Sequence, residues 1–127
     1  MYRAIIAIAA ILIALHGLIH LMGTAAYLRL ADIEGLPYKT TVLGGRLDLG
    51  PVGIRVFALL WIVPAAGFVA AAIGLLQGWT WWDAMLIAAS LASVVLTVMD
   101  WNVAYRGAVI DLAILTAYWI RFQMVPS

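Results

Sequence analysis

The sequence predicts an all-α fold, an integral membrane up-down four-helix bundle in a single domain, and three observations carry that prediction. Of its 127 residues, 67% are hydrophobic and 10% charged, against roughly 45–50% and 25% in soluble domains. The apolar residues gather into runs of about 20, the length that crosses a hydrocarbon core of about 30 Å. One long polar loop and two short turns join the runs, and short connections make consecutive helices antiparallel neighbours. A net charge of +1, with its lysines and arginines scattered, predicts no nucleic-acid partner. The absence of cysteine excludes disulfides, thiol chemistry and thiolate metal sites.

The first span covers residues 4–28. It is longer than the roughly 7–15-residue apolar stretch of a signal peptide, so Thr24-Ala25-Ala26 is read as part of a retained helix and not as a cleavage site. Residues 29–52 form a polar loop in which Gly35, Pro37, Gly44, Gly45 and Pro51 mark turns. Connections of that length are commonly lids or docking segments, although the near-cancelling charges also fit a solvated loop. The second span, 53–76, contains Pro64, which removes a backbone donor and kinks a helix. Ala66, Ala70 and Gly74, with Gly67 and Ala71 beside them, make a small-residue seam for close packing within the bundle or between protomers.

Trp79, Trp81 and Trp82 mark a membrane interface before the third span, 83–104. A tight turn at Tyr105-Arg106-Gly107 then leads to the fourth, 108–125. The bias of lysine and arginine toward the long loop places that loop in the cytoplasm and both chain ends outside. The expected location is the cell membrane, as a multi-pass protein of the bacterial inner membrane type.

Within Leu15-His16-Gly17-Leu18-Ile19-His20-Leu21-Met22-Gly23 lie the only two histidines, one helical turn apart on one face. Polar groups inside an apolar span are costly and usually functional. Ile13, His16, His20, Gly23 and Tyr27 follow a single stripe on the first helix. Ser90, Ser93, Thr97 and Asp100 do so on the third, and Asp111, Leu115, Tyr118 and Phe122 on the fourth. At a rise of about 1.5 Å per residue, His20 sits about 12 Å and His16 about 18 Å in from the loop side, and the other polar groups share that leaflet. A half-membrane polar pocket opening toward the loop is therefore expected.

The candidate catalytic residues are His16, His20, Asp100 and Asp111, acting as a general acid–base set. Arg55, Arg106, Asn102, Tyr27 and Thr97 are candidate ligand contacts. Each also has a structural explanation. Asp111 suits a helix N-terminus; Asp100, at a C-terminus, needs a cation, with Arg55 or Arg106 as the candidate; the serines and threonine can bond back to their own helices. No cofactor is predicted. Histidines at i and i+4 can share a metal, with a third ligand from Asp100 or Asp111, but the pattern lacks the glutamate of the zinc-protease helix. Haem ligation by the pair is less expected still, because both ligands lie on one side of any ring and cannot supply both axial positions.

A pocket reached from the bilayer takes a lipophilic small molecule, bound or acted on by acid–base chemistry. The alternative is a non-catalytic subunit or assembly partner of a larger membrane complex, or a homo-oligomer. His16-Gly17-Leu18-Ile19-His20-Leu21-Met22-Gly23 and Arg106-Gly107-Ala108-Val109-Ile110-Asp111-Leu112 resemble small four-helix bacterial membrane proteins of the DoxX-like kind. The resemblance covers most of the chain at the level of hydropathy. It implies a lipophilic redox or accessory context and transfers no catalytic residue.

Overall fold

The structure, a computed structural model, describes residues 2–124; the expected end of the fourth span at Val125, and the Phe122 side chain, lie outside what is described. The chain is mostly helical, in agreement with the all-α class. Three helices are long and apolar enough to cross a membrane: Tyr2–Tyr27, Gly50–Gln77 and Trp82–Met99.

The first of these is α1 (Tyr2–Ile19) continued by α2 (Leu21–Tyr27), interrupted only at His20. The interruption has a local cause. His20 Nδ1 donates to the His16 carbonyl at 2.8 Å, the acceptor that its own backbone N–H would use in a regular helix. That N–H turns to the Gly17 carbonyl instead, at 3.1 Å. A side chain inserted into the backbone ladder is a recognised source of a helix break.

The second long helix is α3 (Gly50–Leu60) followed by α4 (Ile62–Gln77), broken at Trp61. Pro64 supplies no N–H for the Leu60 carbonyl, and its ring crowds that carbonyl, so the break falls on the preceding turn. Thr24 on α2 donates to the Ala58 carbonyl at 2.8 Å just before the break.

α5 (Trp82–Met99) and α6 (Trp101–Met124) meet at Asp100. This moves the expected corner: Tyr105, Arg106 and Gly107 lie inside α6, and the chain turns at Asp100, whose φ and ψ are −112° and 34°. The carboxylate there is held by residues from elsewhere in the chain, which local turn propensity does not register. The two helices are antiparallel, since the Tyr118 hydroxyl near the end of α6 donates to Asp83 at the start of α5 at 3.0 Å.

α1 packs along α4, α2 along α3, α4 along α5 and α5 along α6. The small-residue seam of α4 is used inside the chain. A Cβ on Gly67 would lie 2.8 Å from the Ala89 Cβ, and one on Gly74 2.9 Å from the Trp82 Cβ, both on α5. Ala66 is exposed. Among the described residues no comparable seam joins α1 to α6.

The polar loop folds over one end of the helices. A two-residue hairpin, β1 (Thr41–Val42) and β2 (Leu47–Asp48), pairs Thr41 with Asp48 and Val42 with Leu47. Val42 is buried in a core cluster with Tyr27, Ile54, Phe57 and Leu96, so the loop is a packed cap and not a solvated tether. A second cluster, Phe68, Ala71, Leu86 and Ala89, fills the α4–α5 interface farther from the loop.

Close approach of α1 to α4 depends on Gly17, where an added Cβ would stand 2.6 Å from the Phe68 Cβ and 3.1 Å from the Ala65 carbonyl oxygen. Gly17→Val is expected to destabilise the protein by about 1–3 kcal/mol, the usual cost of overpacking. Ala substitution of exposed Leu18 should shift stability by less than about 0.5 kcal/mol. Reversible unfolding in detergent, followed by helical circular dichroism, measures both.

Candidate functional site

At the junction of the two core clusters, α1, α5 and α6 bring four polar side chains together. His16 Nε2 lies 2.7 Å from Asp111 Oδ1. The Ser93 hydroxyl donates to Asp111 Oδ2, and Ser93 Oγ is 2.6 Å from His20 Nε2. Exposure is 8% for His16, 4% for His20, and 0% for both Ser93 and Asp111. The histidines therefore form the accessible side of a cluster whose serine and carboxylate lie behind them.

Aromatic rings fix the imidazoles. His16 stands edge-on to Phe68 at 4.8 Å between ring centroids. His20 lies 5.6 Å from Trp61 and 5.5 Å from Phe68. Neither aromatic was singled out from sequence, since each reads simply as a core residue of an apolar helix.

The hydrogen bonds impose a proton count. His20 Nδ1 must carry a hydrogen, because its partner is a carbonyl. The contacts His16–Asp111, Asp111–Ser93 and Ser93–His20 require one more hydrogen each. With Asp111 ionised and both rings neutral, His16 supplies one, the Ser93 hydroxyl supplies one, and His20 has none left for Nε2. The cluster is then one positive charge short of closing all its contacts. Among the described residues no lysine or arginine forms an ion pair with Asp111.

A cavity of about 420 Å³ lies against the histidines, in the gap between the first helix and α6. His16, His20 and Thr97 line it, with Trp61, Leu36 and Ile110 among its apolar walls and Glu34, Asp100 and Arg106 also in the lining. His16 Nδ1 has no hydrogen-bond partner among the described residues, so Asp111 holds one ring nitrogen while the other remains for a ligand.

Asp100 belongs to a second polar group. Tyr27 donates its hydroxyl to one carboxylate oxygen, and Lys39 from the loop approaches the other at 2.5 Å. The cation expected from Arg55 or Arg106 is thus Lys39. Both arginines are exposed, whereas Lys39 reaches the corner because the loop folds back over it. Lys39 stood among near-cancelling loop charges, and nothing in its spacing marked it.

The remaining candidates separate. Thr97 lines the cavity, but its hydroxyl donates back to the Ser93 carbonyl of its own helix at 2.8 Å. Tyr27 serves Asp100. Arg106 lies at the cavity; Arg55 instead borders a separate cavity of about 350 Å³ with Tyr27, Arg29 and Tyr38. Asn102 is exposed and absent from both cavity linings. Ser93, expected to bond to its own helix, is the bridge between His20 and Asp111. In the loop, Asp48 accepts from the Gly50 N–H at 2.9 Å, a bond that holds its exposed carboxyl below the usual carboxylate range.

Among the described residues, the group that could hold a metal is His16, His20 and Asp111, whose donor atoms all lie within 4.8 Å of one another. Set against family models, curated proteins and solved structures, the chain matches none of them.

Asp111→Leu removes the acceptor shared by His16 and Ser93. With about 1–3 kcal/mol for each of the two buried donors left unpaired, a loss of about 2–6 kcal/mol is expected in detergent unfolding. Asn102→Leu, at an exposed position, should change stability by less than about 0.5 kcal/mol.

Proposed function

We propose that this chain is a multi-pass membrane protein that takes a lipophilic small molecule into the cavity between α1 and α6. The observation that supports it is the placement of His16 and His20, the least buried members of an otherwise enclosed polar cluster, in the wall of a mainly apolar cavity. An apolar pocket with a few convergent polar groups is the usual form of a small-molecule site. The open gap between the first and last helices gives such a molecule a sideways route from the bilayer, because exposed apolar residues border it on both sides, Ile19 on α1 and Ile110 on α6.

In this reading the four helical rods cross the membrane with the loop as a cap on the cytoplasmic side. The three long apolar helices support the placement; α6 carries Arg106, Asp111 and Arg121 and crosses with its polar face on the cluster. Asp111 orients His16 through Nε2, leaving Nδ1 to accept from, donate to or exchange a proton with the bound molecule. His20, held by Ser93 and by the His16 carbonyl, shapes the floor of the site. Asp100, Tyr27 and Lys39 fasten the cap.

The alternative, a non-catalytic subunit of a larger membrane complex, draws on the small size of the chain and on the small-residue seam of α4. Within that seam Gly67, Ala71 and Gly74 pack against α5, and Ala66 is exposed. The redox or accessory context implied by the DoxX-like resemblance remains compatible with either reading.

Native mass spectrometry of the protein extracted in mild detergent tests the pocket. The wild type is expected to carry one lipophilic molecule per chain, and the His16→Leu/His20→Leu double variant to lose it. Ala104→Phe, which fills the cavity from α6, should lose it as well. Retention of the molecule by both variants would refute the site.

A further inference from the structure

We propose that His16, His20 and Asp111 are ligands of a divalent first-row metal ion bound in the wall of the cavity. The inference rests on the pocket reading for the molecule that completes the ion's shell, and not for the ion itself. Two histidines one turn apart and a carboxylate from a facing helix form a two-histidine, one-carboxylate set, the donor combination of open catalytic metal sites. Their donor atoms lie within 4.8 Å of one another, and ligands about 2.0–2.2 Å from a tetrahedral zinc ion are about 3.3–3.6 Å apart, so side-chain movements of about 1 Å close the set on an ion.

Two of the three residues, His20 and Asp111, have outer-sphere bonds of the form that a bound ion requires. His20 donates from Nδ1 to the His16 carbonyl, the outer-sphere bond that fixes the tautomer of a ligating imidazole and leaves Nε2 with its lone pair. Ser93 donates to Asp111 Oδ2, which leaves Oδ1 to ligate. His16 presents Nε2 to the same point and carries its proton on Nδ1, the nitrogen without a partner among the described residues.

The ion also resolves the proton count. With metal on His16 Nε2, His20 Nε2 and Asp111 Oδ1, the single Ser93 hydrogen goes to Asp111, and neither imidazole Nε2 needs one. The missing positive charge is supplied without protonating the carboxylate. A divalent ion with one carboxylate and two neutral imidazoles keeps a net charge of +1. Its open position faces a mainly apolar cavity, so the preferred occupant is a lipophilic molecule with an anionic oxygen, such as an enolate, phenolate or carboxylate. Nitrogen and oxygen donors without thiolate favour zinc or iron(II) over copper(I).

The test is titration of the chelator-stripped full-length protein in detergent with Zn²⁺ by calorimetry, and with Co²⁺ by visible absorption. One equivalent of Zn²⁺ is expected, with Co²⁺ giving the d–d bands of a four- or five-coordinate ion. His16→Gln, His20→Gln and Asp111→Asn should each weaken binding by more than about 100-fold, beyond the 10–100-fold cost of losing an outer-sphere partner. Asp32→Asn, in the exposed part of the loop, should bind as the wild type does.

No uptake by the wild type, or uptake that Asp111→Asn leaves unchanged, overturns the proposal. If a variant loses its helical circular dichroism, the wild-type stoichiometry and Co²⁺ spectrum decide alone. Stripped protein that takes up no metal yet carries the lipophilic molecule defeats the metal site and leaves the pocket. One equivalent of Zn²⁺ with no lipophilic molecule does the reverse.

Discussion

The contact between His16 and Asp111 ties α1 to α6 across an interface that apolar packing leaves open among the described residues. Elsewhere the rods meet through glycine and alanine or through buried aromatic and aliphatic side chains. Between α1 and α6 the bridge is a hydrogen bond from imidazole to carboxylate. In an apolar interior such a bond is strong, and loss of either partner is correspondingly expensive. The cavity exists because this interface is spanned by side chains and not filled by them.

Several irregularities of the backbone follow from the same need to satisfy polar groups. The helix breaks at His20 because the imidazole takes over a backbone acceptor. The α5–α6 corner falls on Asp100, where Tyr27 and Lys39 converge. The break at Trp61 has a covalent origin, in Pro64. Two of the three thus place a titratable side chain at a point where regular hydrogen bonding is interrupted, a common feature of functional positions.

Legibility in the sequence varied with the range of the interaction. The stripes Ile13, His16, His20, Gly23, Tyr27 and Ser90, Ser93, Thr97, Asp100 were readable from helical periodicity, and with the exception of half-buried Ile13 every member is buried. Asp111 was readable from its stripe and depth, but the helix N-terminus expected to favour its charge is not there: α6 begins at Trp101, which leaves Asp111 in the helix interior. Lys39 was not readable, since its pairing depends on how a long loop folds over the helices, which no period encodes. The corner was misread at Tyr105-Arg106-Gly107 because glycine signals a turn locally, whereas this turn is fixed by long-range contacts to a carboxylate. Asn102 and Arg55 share a depth with the site but point elsewhere, and depth along a helix says nothing of azimuth across a corner of unknown position.

The open interface also sets an order of assembly during synthesis. His16 and His20 leave the ribosome early, Ser93 much later, and Asp111 later still. Until α6 arrives, the nascent chain holds two imidazoles without their carboxylate, so maturation of the site coincides with completion of the final helix. A chain stopped before that helix retains all three long apolar segments and yet lacks the residue that joins its two ends. An unfinished chain thus differs from a finished one by an unpartnered histidine face.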